Sequence, residues 1–257
     1  MKLENRVAIV TGGANGIGRA IAIGLAKEGA DLVIADVEIE PAKEVVNESK
    51  ALGRKALVVR TDVSNSEETK RMTQTTLDEF GKIDILVNNA GGSAREMQSL
   101  FHESKEETWD FVIGRNLKGV LNCTRAVINH MIERRSGKIL NIGSTAGILG
   151  QPRLADYSAA KGGIIAFSKA LAKEVISYGI NVNCVSPGPT QTRIMNVMDS
   201  EGKRLEILKK FTGFGRLGKP EEVAAMVVFL VSDEASLITG QNYAVCGLTN
   251  LGEVTMW

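Results

Sequence analysis

The stretch RVAIVTGGANGIGRAIAIGLAKEGADLVIAD, residues 6–36, decides the fold. It opens with a β-branched apolar run, RVAIVT, passes through a glycine-rich turn into the helical pattern GIGRAIAIGLAKEG, and returns to a second apolar run, DLVIAD. Apolar runs of that length bounded by turn residues read as buried strands, and the segment between them has helical periodicity, so the stretch predicts a βαβ unit. Gly12, Gly16 and Gly18 sit between strand and helix, where glycines let backbone N–H groups approach a phosphate at a helix N-terminus. Their spacing is G-x-x-x-G-x-G rather than the G-x-G-x-x-G dinucleotide fingerprint. Asp36 ends the second strand, 18 residues beyond Gly18. A carboxylate there either accepts hydrogen bonds from an adenosine ribose or is a solvated strand end.

The same rhythm continues to the end of the chain. KALVVR, KIDILVN, GKILNIG, INVNCV and QNYAV read as five further strands, separated by helical segments. In SNSEETKRMTQTTLDEFG, Ser64 and Glu67 have capping-box spacing; in KPEEVAAMVVFLVS, Pro220 and two acids mark a helix start. The expected class is α/β: a Rossmann-type, doubly wound, mostly parallel seven-stranded sheet with helices on both faces, forming one domain over 1–257. Only 189–217 and the tail after Gly247 break the rhythm. Polar or glycine clusters follow the strands one after another, and in open parallel sheets the ligand binds at that edge.

Composition narrows the partners. Lys+Arg 31 against Asp+Glu 30 gives a net charge of +1, with no basic block or acidic tail, so neither nucleic acid nor an anionic membrane is expected as partner. Cys123, Cys184 and Cys246 are scattered and odd in number, and His102 and His130 lie far apart, so neither disulfides nor a metal site is expected. MKLENRVAIV has too short an apolar run for a signal sequence, and AAMVVFLV is too short to span a bilayer. The expectation is a soluble, cytoplasmic protein acting on a small molecule.

YSAAK, residues 157–161, places Tyr157 and Lys161 four apart, on one face of a helix. In order and spacing, T-G-x-x-x-G-I-G at Thr11–Gly18, N-N-A-G at Asn88–Gly91, Ser144, this Y-x-x-x-K and Pro187–Gly188 resemble the main branch of the short-chain dehydrogenase/reductase family, from about Arg6 to Gly247. The resemblance implies a nicotinamide cofactor and a catalytic tetrad at Asn116, Ser144, Tyr157 and Lys161. A phenol with a pKa of about 10 is a poor base at neutral pH, and an adjacent ammonium lowers that pKa toward the working range. Tyr157 is thus implied as acid/base, Ser144 as donor to the same substrate oxygen, and Asn116 as holder of a water that relays protons to Lys161. Lys161 also meets the nicotinamide ribose. Further contacts carried over are Asn15 and Ile17 in the glycine loop, Asp62 and Val63 beside adenine, and Asn88, Ala90 and Gly91 along the path to the ribose. Pro187, Gly188, Thr190 and Thr192 fall at the carboxamide and pyrophosphate. Asp36, with no base at Asn15 or Val37, implies NAD rather than NADP.

Two departures from the family pattern stand out: Arg115 before Asn116, where an apolar residue is usual, and Cys246 within AVCGLTN, where many relatives carry V-D-G-G. Ile194, Met195, Val197, Met198, Phe211 and Phe214 suggest an apolar substrate lid over 189–217, or are core. Arg95, Arg153 and Arg193 point toward an acidic or acyl-thioester substrate, or are surface residues. The leading expectation is an NAD-dependent secondary-alcohol dehydrogenase or ketone reductase. Alternatives are a 3-oxoacyl thioester reductase and a dinucleotide-binding redox sensor without turnover. The resemblance implies a homotetramer, assembled through two long helices before and after the fifth strand, at about 104–134 and 157–178, and through the last strand, with Ala159, Ala160, Gly162 and Gly163 permitting close approach.

Overall fold

The fold is taken from a computed structural model, which describes residues 1–94, 97–192, 208–209 and 212–249. Seven strands, β1 (Val7–Thr11), β2 (Asp31–Asp36), β3 (Ala56–Arg60), β4 (Ile85–Asn88), β5 (Gly137–Ile142), β6 (Ile180–Pro187) and β7 (Asn242–Val245), form one sheet in the order β3-β2-β1-β4-β5-β6-β7. All six pairings are parallel. The order reverses between β1 and β4, and the crevice opened there is where such sheets bind ligands.

Alternate residues of each strand feed opposite faces. Ala8, Val10, Leu32, Ile34, Ile85 and Val87 pack against α1 (Gly16–Lys27), α2 (Ile39–Ala51) and α8 (Pro220–Val231). Ile9, Val33, Leu86, Ile139 and Val182 pack against α3 (Ser66–Phe80), α5 (Gly119–Arg134) and α7 (Ala155–Val175). Both faces are covered, so the strands read as unbroken apolar runs rather than alternating ones. Among the described residues no helix is long and apolar enough to cross a membrane.

Three local expectations need correction. The cap of α3 is Asn65, whose side chain accepts from the N–H groups of Glu67 and Glu68 at 3.0 and 3.4 Å; Ser64 instead donates its hydroxyl to Asp62 at 2.7 Å. An asparagine one residue later offers the same oxygen to the first turn, and Asp62 competes for the serine. The expected helix over 104–134 is interrupted: α4 (Glu106–Ile113) passes through a π-helical segment, Gly114–Lys118, before α5. The helix expected over 157–178 starts at Ala155 and tightens to a 3₁₀ turn at Ile176–Tyr178. The start at Pro220 is as expected, with Glu222 accepting from the Lys219 N–H at 2.7 Å.

Candidate active site

A cleft of about 790 Å³ runs along the C-terminal edge of the sheet, from Asp36 and Glu38 at one end to Ser144 and Tyr157 at the other. Its floor is stitched where β1 and β4 end. Thr11 Oγ1 accepts from the N–H groups of Asn89 and Ala90 at 3.0 and 3.1 Å, and Asn89 Nδ2 donates to the carbonyls of Thr11 and Gly12 at 3.0 and 2.8 Å. Gly12 has φ +62°, and a Cβ there would lie 2.8 Å from Ala90 Cα. A Cβ on Gly18 would fall onto Gly12 O and the Asn89 amide. These glycines therefore keep the first turn of α1 tight against the floor and leave its backbone open to the cleft. Asn15, Gly16 and Ile17 line the same end, with Thr192 Cγ2 3.4 Å from where a Gly16 Cβ would stand.

Asp36 is held by both loops beside it. Oδ2 accepts from Ala14 N–H at 2.9 Å and Oδ1 from Glu38 N–H at 3.0 Å. Asn15 Nδ2 in turn donates to Glu38 Oε2 at 2.7 Å. Asp62 and Val63 continue this wall. The Ser64 hydroxyl bonded to Asp62 holds that carboxyl below its usual range, with smaller help from the Ser64 N–H, Arg115 and Arg60.

At the other end, Ser144 caps α6 (Thr145–Leu149), its Oγ accepting from Ala146 N–H at 3.1 Å. The cap occupies an acceptor position and leaves the hydroxyl proton for another partner. Tyr157 lies in the first turn of α7, and Lys161 follows one turn later at 4% exposure. Lys161 Nζ donates to Ile142 O at 2.8 Å and stands 5.7 Å from the centroid of the Tyr157 ring. Burial drives the Lys161 pKa down from 10.5 to about 8, with Cys184 as a small opposing influence. Asn116 is fully buried within the π-helical segment. Its Nδ2 donates to Gly92 O and Val112 O at 2.9 and 2.8 Å, and its Oδ1 accepts from Gly92 N–H at 3.2 Å. Asn116 thus backs Gly91 and Gly92, which line the cleft, rather than lining it itself.

Ala90, Gly91, Pro187, Gly188, Thr190 and Thr192 all line the cleft as expected. Asn88 does not: it is 2% exposed and its amide donates to Thr124 and Asn141 behind the sheet edge. The strand alternation turns Asn88 inward and leaves Asn89 at the floor. The N-N-A-G motif pointed at the right loop, and the choice between its two asparagines depended on strand phase. Arg115 also lines the cleft, its guanidinium 5.8 Å from the Phe111 ring centroid. Thr249 is a lining residue that no sequence signal marked, and Leu208, within the expected 189–217 lid, lines the cleft as well. Of the expected lid, Ile194, Met195, Val197, Met198 and Phe211 lie outside the described residues, and Phe214 is 76% exposed rather than core. Arg95 and Arg193 also lie outside them; Arg153 is exposed.

A cradle that Cβ atoms would fill, a ribose-sized carboxylate corner and a Tyr–Lys–Ser group at the far end fit an elongated dinucleotide with a reacting ring. Comparison with known proteins agrees. Residues 12–249 match a family model described as enoyl-(acyl carrier protein) reductase. The chain is similar to the 3-oxoacyl-[acyl-carrier-protein] reductase FabG of Thermotoga maritima, at 38% identity covering 96% of this chain and 98% of that one. It is similar to the (2S)-[(R)-hydroxy(phenyl)methyl]succinyl-CoA dehydrogenase subunit BbsD of Thauera aromatica, at 39% identity covering 96% and 97%. The crystal structure of gox2181 superimposes with a TM-score of 0.91 at 34% identity, covering 96% of each chain.

Proposed function

Because the chain belongs to the short-chain dehydrogenase/reductase family of oxidoreductases that bind a nicotinamide dinucleotide, we propose that it interconverts a secondary alcohol and a ketone with Tyr157 as the acid/base. When bound, the dinucleotide supplies or takes up the hydride. The observation that carries the proposal is the buried Lys161 ammonium, fixed on Ile142 O within reach of the Tyr157 ring. A cation there favours the phenolate over the phenol and lowers the cost of moving the tyrosine proton. In ketone reduction Tyr157 gives its proton to the forming alkoxide; in alcohol oxidation it takes the proton back. Ser144, its oxygen already accepting from Ala146 N–H, donates its own proton to the same substrate oxygen. Asn116 acts from behind Gly91 and Gly92, fixing that loop beside Lys161.

Asp36, with Glu38 beside it, would hold the adenosine ribose of NAD. Support comes from the missing base: Asn15 and Val37 are neutral, and Arg60, paired with Asp36 in the strand register, is bound to Glu68 at 3.1 Å. A second, narrower reading makes the reacting carbon part of an acyl thioester. The named substrates of the FabG and BbsD relatives favour it. One domain would serve both cofactor and substrate, as a soluble cytoplasmic homotetramer. Tyr157→Phe tests the core of the proposal: kcat should fall by roughly 10²–10⁴-fold while dinucleotide binding is kept. Retention of more than about a tenth of wild-type kcat, short of the loss expected for a proton-transfer group, removes Tyr157 from that role.

A further inference from the structure

Asn88 and Asn141, near the C-terminal ends of β4 and β5, and Cys184, midway along β6, stand side by side in parallel register. By strand alternation they share the face on which Leu86, Ile139 and Val182 pack against α5 and α7. Three polar side chains in an otherwise apolar layer are costly unless each finds partners. Asn88 Nδ2 donates to Thr124 Oγ1 on α5 at 3.0 Å and to Asn141 Oδ1 at 2.8 Å. Asn141 Nδ2 donates to Ser168 Oγ on α7 at 2.8 Å, and Ser168 Oγ donates to Ile164 O at 2.7 Å. Burial pushes the Cys184 thiol pKa up, with Ser186 and, more weakly, Ser168 opposing that rise. Every member of the row is at most 3% exposed.

The two asparagines adjoin groups that shape the cleft, and the two helical members share helices with Asn116 and Lys161. Asn88 precedes Asn89, which holds the glycine loop. Asn141 precedes Ile142, whose carbonyl receives Lys161. Thr124 lies about two turns beyond Asn116, and Ser168 about two turns beyond Lys161 on the same face of α7. Apolar contacts select which face of each helix meets the sheet, but they are weakly directional and leave its fine rotation less sharply defined. Hydrogen bonds are directional, and in a dry layer each broken one leaves an orphaned group. The row therefore locks the phase of α7 against β5.

We infer that the buried polar row Asn88–Asn141–Ser168, with Thr124 and Cys184 at its ends, positions Lys161 on Ile142 O and so beneath Tyr157. Ser168 is its principal positioning residue. The inference rests on the reading of Lys161 as the ammonium that supports Tyr157. Ser168→Ala removes both the acceptor for Asn141 and the donor to Ile164 O. Small displacements of reacting groups are costly, so kcat should fall by about 10- to 100-fold with the dinucleotide Kd little changed. With less support for the phenolate, the acid limb of the alcohol-oxidation pH profile should move up by about one unit. Ser168→Thr restores the oxygen and should recover both. Wild-type kcat and pH profile in Ser168→Ala, even with a lowered Tm, would overturn the inference, as would a defect that Ser168→Thr leaves unrepaired. Should Ser168→Ala not fold, Thr124→Val, at the other end of the row, is read by the same two measurements. Lys161→Met separates the two ideas. If that variant stays active, the catalytic reading fails; if it is inactive while Ser168→Ala behaves as wild type, only the positioning inference fails.

Discussion

At the scale of single residues, charge and burial set the behaviour of the cleft. Asp36 and Glu38 line the proposed adenosine end, with Asn15 donating to Glu38, so a ribose 2′-phosphate there would meet two carboxylates. At about 4 Å and an effective dielectric near 20, one such like-charge pair costs on the order of 4 kcal/mol. Half of that is already more than about tenfold in affinity. The expected outcome is at least about a tenfold preference for NAD(H) in kcat/KM, narrowed or reversed by Asp36→Ala with Val37→Arg. Steady-state kinetics with both cofactors checks it, and equal use of NADPH by the wild type would mean that Asp36 does not face the ribose. Lys161 carries the opposite kind of cost. Its folded pKa of about 8 lies below the ordinary 10.5, so burying the ammonium opposes folding at pH 7. That opposition is full below pH 8 and is relieved as pH rises from about 8 to 10.5, where the unfolded chain holds a proton the folded one has lost. Lys161→Met should therefore be inactive yet more stable at pH 7, by up to roughly 3 kcal/mol, less whatever Ile142 O loses with its donor. Thermal melts at pH 7 and at 10.5 check this, and a gain that persists unchanged at the higher pH would contradict it.

At the scale of elements, close approach of backbones shapes the site. Gly18→Ala puts a methyl group onto Gly12 O and the Asn89 amide, so the glycine loop must lift from the floor. Overpacking of this kind costs about 1–3 kcal/mol, which should appear as roughly tenfold or greater loss of dinucleotide affinity with the fold retained. Titration calorimetry with NAD measures it, and unchanged affinity would show that the loop tolerates the methyl group. The small residues at the start of α7 tell a related story. Of the residues expected to permit close approach of a partner subunit, Ala159 is exposed and Ala160 buried, a Cβ on Gly163 would stand 3.0 Å from Leu117, and one on Gly162 3.3 Å from Gly147 O. Gly162 and Gly163 bring α6 and the π-helical segment against α7 within one chain. Helix α3 shows how finely local signals resolve: S-x-x-E spacing located its start, and a neighbouring asparagine took the cap.

At the scale of the whole molecule, the assembly prediction remains to be measured. Ile113 and Leu121 are each at least 40% exposed along α4 and α5, apolar surface that a second copy of the chain would cover. A homotetramer is the expected outcome in light scattering at micromolar concentration, and a monomer there would refute it. Strand number, the parallel class, the glycine turn and the Tyr157–Lys161 pair were legible in the sequence because each depends on short-range physics: apolar run length, turn chemistry and the 3.6-residue helical repeat. Asn88 against Asn89, Thr249 at the cleft wall, the π-helical turn around Asn116 and the buried row to Ser168 were not. These depend on strand phase and on contacts between segments distant in sequence, as Asn88 meets Asn141 and Thr124. The sequence by itself determined which elements form and which side chains can do chemistry. Only the tertiary structure decided which polar groups face the cleft and which brace it from behind, because that depends on how parallel strands register and on which helix covers each face.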